Sequence, residues 1–313
     1  MNWARIGSRL RSWRHWLTAK GVLAIFALLR LMSADRALNL ADWLGKTVGP
    51  WTGRHRVTLD NLRKAYPEKS EEEIQAIAYD MWGHMARLAA EYVFLDRLFD
   101  FRPFSDAQHR VEVNGVDVFI RVVESRKPRI FFTAHTGCFE MFPVAAATFG
   151  LDLVALFRAP NNPYMAEELA SARNVSNARM VASRSGAAIS LARVLEEDGA
   201  VGALVDQKFI GGIPTTFFGV ECQTSPLVPR LARQFDADIH PARCIRLPGN
   251  RYRLEILDPI EPARDANGQI DPAALAQQMN DIIEGWVREY PGQWMWFHKR
   301  WEIRERRKRG KAA

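Results

Sequence analysis

Three features of this 313-residue chain predict an α/β fold, in which a mainly parallel central sheet is flanked by helices and preceded by a helical N-terminal region. Beyond about residue 110, short β-branched and aromatic runs alternate with helix-length segments, the order that sets parallel strands side by side with crossover helices on both faces. Before residue 100, apolar residues recur at three- and four-residue intervals. Several of the later runs end in a charged or imidazole side chain with Gly or Pro close behind, as strands do at the open edge of a sheet.

Along the chain, residues 1–100 read as mostly helical. Ser70 before Glu71, Glu72 and Glu73 is an N-cap with an acidic first turn, and Pro67 marks the boundary before it. Ile77, Met81, Met85, Leu88 and Tyr92 then give the helix running to Leu98 a core-facing stripe. Strands are expected at 111–113, 117–120, 129–134, 152–157, 179–182 and 200–205, and helices at 139–148, 163–174, 185–197 and 224–235. Residues 238–246 and 251–258 read as a strand pair about the Pro248-Gly249-Asn250 turn. Asp271 can cap a last long helix that reaches Tyr290 and stops at Pro291-Gly292. No repeat or linker divides the second part, so the expected division is a helical region, 1–100, and an α/β domain, 101–313.

The formal net charge of +7 is concentrated at the two ends. Arg5, Arg9, Arg11, Arg14 and Lys20 have no acidic residue among them, and they are interleaved with Trp3, Leu10, Trp13, Trp16 and Leu17 before the apolar stretch 21–29. Trp beside Arg suits a lipid headgroup boundary, where the ring is half buried and the charge meets phosphate. Lys20 and Arg30 bracket an apolar core short of the roughly 20 residues a spanning helix needs, so a peripheral helix and a single pass with snorkelling ends both stay open. The tail from Lys299 is also basic, yet no nucleic-acid module lies between the ends, and nucleic acid is not an expected partner. Cys138, Cys222 and Cys244 are scattered without metal-ligand spacing or a disulfide framework. GxGxxG, P-loop and GxSxG motifs are absent, which leaves nucleotide-fuelled and serine-hydrolase chemistry unsupported.

The chemistry-bearing segment is PRIFFTAHTGCFE, 128–140. Ile130-Phe131-Phe132 suits a buried strand, and Thr136-Gly137 breaks it where His135 appears. Glu140 follows five residues later. Within one helix that spacing would set the two about 500°, or roughly 140° around the axis, apart, so they can face each other only across a turn. There an imidazole can take a proton from a hydroxyl while a carboxylate fixes its tautomer; the plain alternative is a backbone-capping His with an ordinary first-turn acid. Arg158 ends the run 152–157, where it can stabilise an oxyanion, grip a phosphate or lie as a surface cation. Arg184 precedes Ser185-Gly186 at an expected helix start, and Asp206 and Gln207 end the run 200–205. His135, Arg158, Arg184 and Asp206 all fall at carboxyl ends of expected strands, the edge where open parallel sheets bind ligands.

The blocks NLRKAYP (61–67), AHTGCFE (134–140), LFRAPNNP (156–163), DQKFIGGIPTTFFG (206–219) with Thr224, and YPGQWMWFHKRW (290–301) resemble, in order and spacing, those of the lipid A biosynthesis lauroyl/myristoyl acyltransferases. The resemblance covers nearly the whole chain and implies the glycerolipid-acyltransferase fold. It implies transfer of a lauroyl or similar chain from an acyl carrier protein thioester, or coenzyme A, to a hydroxyl of an acyl chain on a phosphorylated lipid A precursor. On this likeness His135 is the general base, Glu140 the carboxylate that orients and polarises it, and Arg158 the oxyanion or phosphate ligand; Arg184, on its own residue pattern and not on the likeness, offers a positive charge to an anionic group such as an oxyanion or phosphate. Asp206 and Gln207 brace or position, and Phe217, Phe218 and Gly219 form part of an acyl-pocket wall. The Trp294–Trp301 block shapes or seals the site. No bound cofactor or metal is implied. The implied setting is the bacterial inner membrane, with the site facing the cytoplasm and the N-terminal helix, single-pass or peripheral, on an anionic membrane surface. Acylation of another glycolipid or aminolipid, and a non-enzymatic membrane-surface scaffold, are the alternatives.

Overall fold

A computed structural model describes residues 3–102, 109–158, 162–165 and 179–303. The first part is four helices: α1 (Trp3–Arg30), α2 (Ala34–Val48), α3 (His55–Ala65) and α4 (Glu71–Leu98). Ser70 caps α4 in a full capping box with Glu73, as its sequence requires. The α/β part follows as β1 (Val111–Asn114), α5 (Val116–Glu124), β2 (Arg129–Thr133), α6 (Met141–Thr148), β3 (Leu153–Phe157), β4 (Arg179–Ala182), α7 (Ala187–Glu196) and β5 (Ala200–Leu204). It continues with β6 (Ile213–Phe217), β7 (Val220–Thr224), α8 (Leu227–Phe235), β8 (Asp238–Leu247), β9 (Arg251–Ile256) and α9 (Pro272–Glu289).

Seven strands form one sheet in the order β1-β9-β8-β2-β5-β3-β4. Every neighbouring pair is parallel except β8 with β9, which a tight turn through Gly249 and Asn250 makes antiparallel. The sheet is mixed but mainly parallel, and alternate residues of β2 supply its two faces. Ile130 and Phe132 join a core with Leu191, Leu231, Met279, Ile283 and Trp286, from α7, α8 and α9. Phe131 points the other way, into a core with Phe94, Phe119, Met141, Phe142 and Tyr252. A strand buried on both faces is why this run reads as continuously apolar.

Two elements depart from the sequence expectation. Residues 117–120 are not a strand but part of α5: Gly115 at φ +87° turns the chain, and Val118, Phe119 and Val122 bury one helical face. A short apolar run carries no period long enough to separate the two forms. Residues 213–224, expected as loop and helix start, form an antiparallel hairpin turning at Phe218 and Gly219, both at positive φ. Of the helix expected at 163–174, residues 163–165 are helical and the remainder lies outside the described residues.

The inner-membrane placement by a single N-terminal pass is overturned: among the described residues, no helix is long and apolar enough to cross a membrane. α1 has the length, at 28 residues, but its basic positions confine the apolar run to 21–29. Phe26 and Leu29 of that run are partly spent on the core beside α4.

Candidate active site

The register of β2 on β5 opposes Thr133 to Leu204, so the two chain segments leaving the sheet carry His135 and Asp206 side by side. The main-chain N–H of His135 donates to Asp206 Oδ2 at 2.9 Å, and the ring Nδ1 lies 2.8 Å from Oδ1. Trp294 Nε1 is the third donor to this carboxylate, reaching Oδ2 at 2.8 Å. Burial of Asp206, only 2% exposed, opposes its ionisation, but the adjoining His135 ring and these three hydrogen bonds prevail and hold its pKa down to about 2. An ionised carboxylate only accepts, so Nδ1 carries a proton, and in the neutral ring the lone pair is on Nε2. Gln207 Nε2 stands 3.2 Å from that atom.

The turn bearing His135 is clamped from two sides. Met295 N donates to His135 O at 3.1 Å and Gly137 N to Gln293 O at 3.1 Å, while Cys138 N donates to Cys244 O on β8 at 2.9 Å. Thr136 forms a β-bridge with Trp294. Gly137 sits at φ +53°, and a Cβ there would stand 1.9 Å from Cys244 O, so both conformation and space demand glycine. Behind the clamp, Gln293 is tied to the main chain of Arg246 by two hydrogen bonds of 2.9 Å, and Arg246 makes a buried bidentate pair with Glu91 of α4. Asn61 of α3 donates to the carbonyls of Trp296 and His298, each at 2.7 Å. The first and last of the resembling blocks are thus packed together behind the imidazole.

Glu140 is not the partner of Nδ1; that position belongs to Asp206. Glu140 is the N-cap residue of α6, 8% exposed, and accepts a hydrogen bond from the Tyr92 hydroxyl of α4. It also lines a narrow apolar cleft on the α6 face of the sheet, with Phe131, Phe139, Phe142, Leu153 and Ala155. The ring of Phe139 meets that of His135 edge-on at 5.1 Å, so the cleft begins beside the imidazole.

Arg158 and Arg184 leave the ends of β3 and β4 on this same edge, both exposed. In sheet order β3 and β4 are two and three strands from β2. At about 4.8 Å per step that sets their strand ends roughly 10 and 14 Å from that of β2, within reach of a substrate larger than the imidazole's immediate neighbours. Phe217 and Phe218 lie on the opposite face from the cleft. They are sealed among Tyr66, Trp294, Trp296 and Trp301, with the Arg288 guanidinium 4.4 Å from the Phe218 ring centre. They and Gly219 form the hairpin turn and a core beneath the tryptophans. Cys138 is buried, which pushes its thiol pKa well up and keeps it protonated.

Three contributors were hidden in the sequence. Trp294 read as a shaping residue, yet it bonds Asp206 directly; its place in WMWFHKRW was the available signal. Tyr92 read as one more member of a core stripe. His298 accepts the Lys208 main-chain N–H at Nε2, 3.1 Å away, and burial lowers its pKa to about 4. Among the described residues, no group of three or more His, Cys, Asp or Glu could hold a metal ion.

A family model described as bacterial lipid A biosynthesis acyltransferase matches residues 6–303. The chain is similar to a lipid A biosynthesis myristoyltransferase of Escherichia coli (strain K12), 25% identical over 293 residues, covering 92% of this chain and 87% of that one. Its similarity to lipid A biosynthesis acyltransferase 1 of Shigella flexneri has the same identity and coverage. A lipid A biosynthesis acyltransferase of Haemophilus influenzae is 23% identical over 283 residues, 88% of this chain and 85% of that one.

Proposed function

The chain belongs to the bacterial lipid A biosynthesis acyltransferase family and is an O-acyltransferase, and from that premise we propose how its residues divide the reaction. His135 is the general base. An acceptor hydroxyl donates to Nε2 while its oxygen attacks the thioester carbonyl carbon, and the proton passes to the ring as the C–O bond forms. Asp206 holds the ring by Nδ1 and stabilises the imidazolium. Collapse of the tetrahedral intermediate breaks the C–S bond, and the imidazolium returns its proton to the leaving sulfur. No acyl-enzyme is needed. The observation carrying this reading is the ionised, triply hydrogen-bonded Asp206 on the far side of an imidazole whose Nε2 lone pair faces the site.

Glu140, held by Tyr92, lines the apolar cleft, where the donor's acyl chain lies. Arg158 serves the oxyanion or a phosphate, and Arg184, farther out, a phosphate. The donor is an acyl carrier protein thioester, or coenzyme A, with a lauroyl or similar chain; the acceptor is a hydroxyacyl chain of a phosphorylated lipid A precursor. The helical region 1–100 meets an anionic lipid surface without crossing it, through exposed Trp13, Trp16, Leu17, Ile25 and Leu28 of α1, beside Arg14, Lys20 and Arg30.

Mass spectrometry of lipid A precursor incubated with the purified protein and a panel of acyl carrier protein and coenzyme A thioesters tests acceptor, donor and chain length together. The expected product is the precursor heavier by one acyl group, formed about 10²–10⁴-fold more slowly by His135→Ala. Acylation of a different glycolipid in place of the precursor refutes the acceptor, and an unimpaired His135→Ala refutes the base.

A further inference from the structure

We propose that Gln207 occupies the seat of the acceptor hydroxyl on His135, and by doing so keeps the base from activating water until an acceptor displaces it. The inference rests on the reading of His135 as general base.

The neutral His135 ring has a single lone pair to offer, on Nε2, because Nδ1 keeps its proton and donates it as a hydrogen bond to Asp206 at 2.8 Å. The Gln207 carboxamide nitrogen stands 3.2 Å from Nε2. The ring can only accept there, so the group facing it is the NH2; the amide oxygen would set lone pair against lone pair. An amide N–H is far too weak an acid for imidazole to deprotonate, so this contact is chemically inert. A hydroxyl about to be deprotonated must donate along the same direction, in the plane of the ring. One sp² lone pair accepts one good hydrogen bond, and the two donors exclude each other.

The chain holds Gln207 in this position from both sides. Before it, Asp206 is pinned by His135 and Trp294; after it, Lys208 N donates to His298 Nε2 at 3.1 Å. The flanking main chain is fixed while the partly exposed side chain keeps its torsional freedom. Gln207 is therefore aimed at Nε2 and able to leave it.

The chemical consequence concerns water. A thioester is open to hydrolysis at the same carbon, and a base that serves an alcohol serves water equally. Water's oxygen would bond to the carbonyl carbon, the C–S bond would break, and one water proton would travel through Nε2 to sulfur, yielding fatty acid and thiol. Water brings only one hydrogen bond with which to displace the amide. A lipid acceptor brings the binding energy of its phosphates, sugars and chains, and can spend it on the displacement.

The test compares wild type with Gln207→Ala and Gln207→Leu, the latter filling the space without a donor. Lauroyl-coenzyme A and lipid A precursor are supplied, and free laurate and acylated precursor are both quantified. In both variants the ratio of hydrolysis to transfer should rise about two- to tenfold, the factor one neutral hydrogen bond supplies, and the KM for acceptor should fall by a similar factor. An unchanged ratio in both variants overturns the proposal. So does a parallel loss of hydrolysis and transfer, which would mark Gln207 as an oxyanion donor. His135→Ala in the same assay separates the two levels: if it silences both reactions, a negative result on Gln207 removes only this inference, whereas full activity removes the general base itself.

Discussion

Replacing Asp206 by Asn keeps the shape of the site and reverses the chemistry of its imidazole. Asp206 Oδ2 receives two N–H groups, from the His135 main chain and from Trp294, and Oδ1 receives Nδ1–H. An Asn satisfies the first two donors only with its carbonyl oxygen in the Oδ2 place, which turns its NH2 toward Nδ1. The ring must then accept at Nδ1 and carry its proton on Nε2, where the acceptor hydroxyl needs a lone pair. Turnover is expected to fall about 10³–10⁴-fold, the scale of loss for an imidazole held in the wrong tautomer. Stability should fall as well. The Asp206 pKa is lowered from 3.8 to about 2, so the charged form contributes about 2–3 kcal/mol to the fold at neutral pH. A depressed carboxylate gives stability that is present above 3.8 and lost as pH falls through about 2. Product formation by mass spectrometry gives the rate, urea unfolding gives the stability, and long-range ¹H–¹⁵N NMR reads which ring nitrogen is protonated. A variant that turns over within about tenfold of wild type while its Nε2 is protonated would refute the reasoning.

Gly137→Ala should destabilise the fold by about 2–4 kcal/mol, because it combines a positive φ with a Cβ driven onto the Cys244 carbonyl; a loss under about 0.5 kcal/mol in urea unfolding would contradict the clamp. Burial lowers His298 from 6.5 to about 4 and His84 from 6.5 to about 2. The unfolded chain therefore binds more protons below 6.5, and stability should decline as pH falls from there toward 4, continuing toward 2 for His84. The double variant His84→Gln, His298→Gln should show a shallower decline between pH 7 and pH 5, and an unaltered slope would refute the assignment.

The sheet was legible because its strands are buried on both faces: β2, β3 and β5 leave apolar runs that end where a polar side chain begins. The edge gathering His135, Arg158, Arg184 and Asp206 was legible for the same reason, since strand ends carry their own punctuation. The β6–β7 hairpin was not. Pro214 breaks its strand pattern, and its turn places Phe218 at positive φ, where sequence rules look for Asn, Asp or Gly. That Asp206, not Glu140, partners the His135 Nδ1 was hidden for a different reason. Glu140 is near His135 in sequence, whereas Asp206 reaches it only through the pairing of β2 with β5. Local spacing favours the neighbour in the chain, and register decides the neighbour in space. Tyr92 was invisible because a helical stripe does not show which member reaches past the core to a carboxylate.

The clamp on the His135 turn has a consequence for when this protein becomes chemically competent. Gln293, Trp294 and Met295 hold that turn from a segment synthesised long after β2, β5 and Asp206. A nascent chain that has already made β2, β5 and Asp206 still lacks the strap that holds the His135 turn. A polypeptide clipped before Gln293 would lack the Trp294 hydrogen bond to Asp206 and the Gln293 and Met295 contacts that hold the His135 turn.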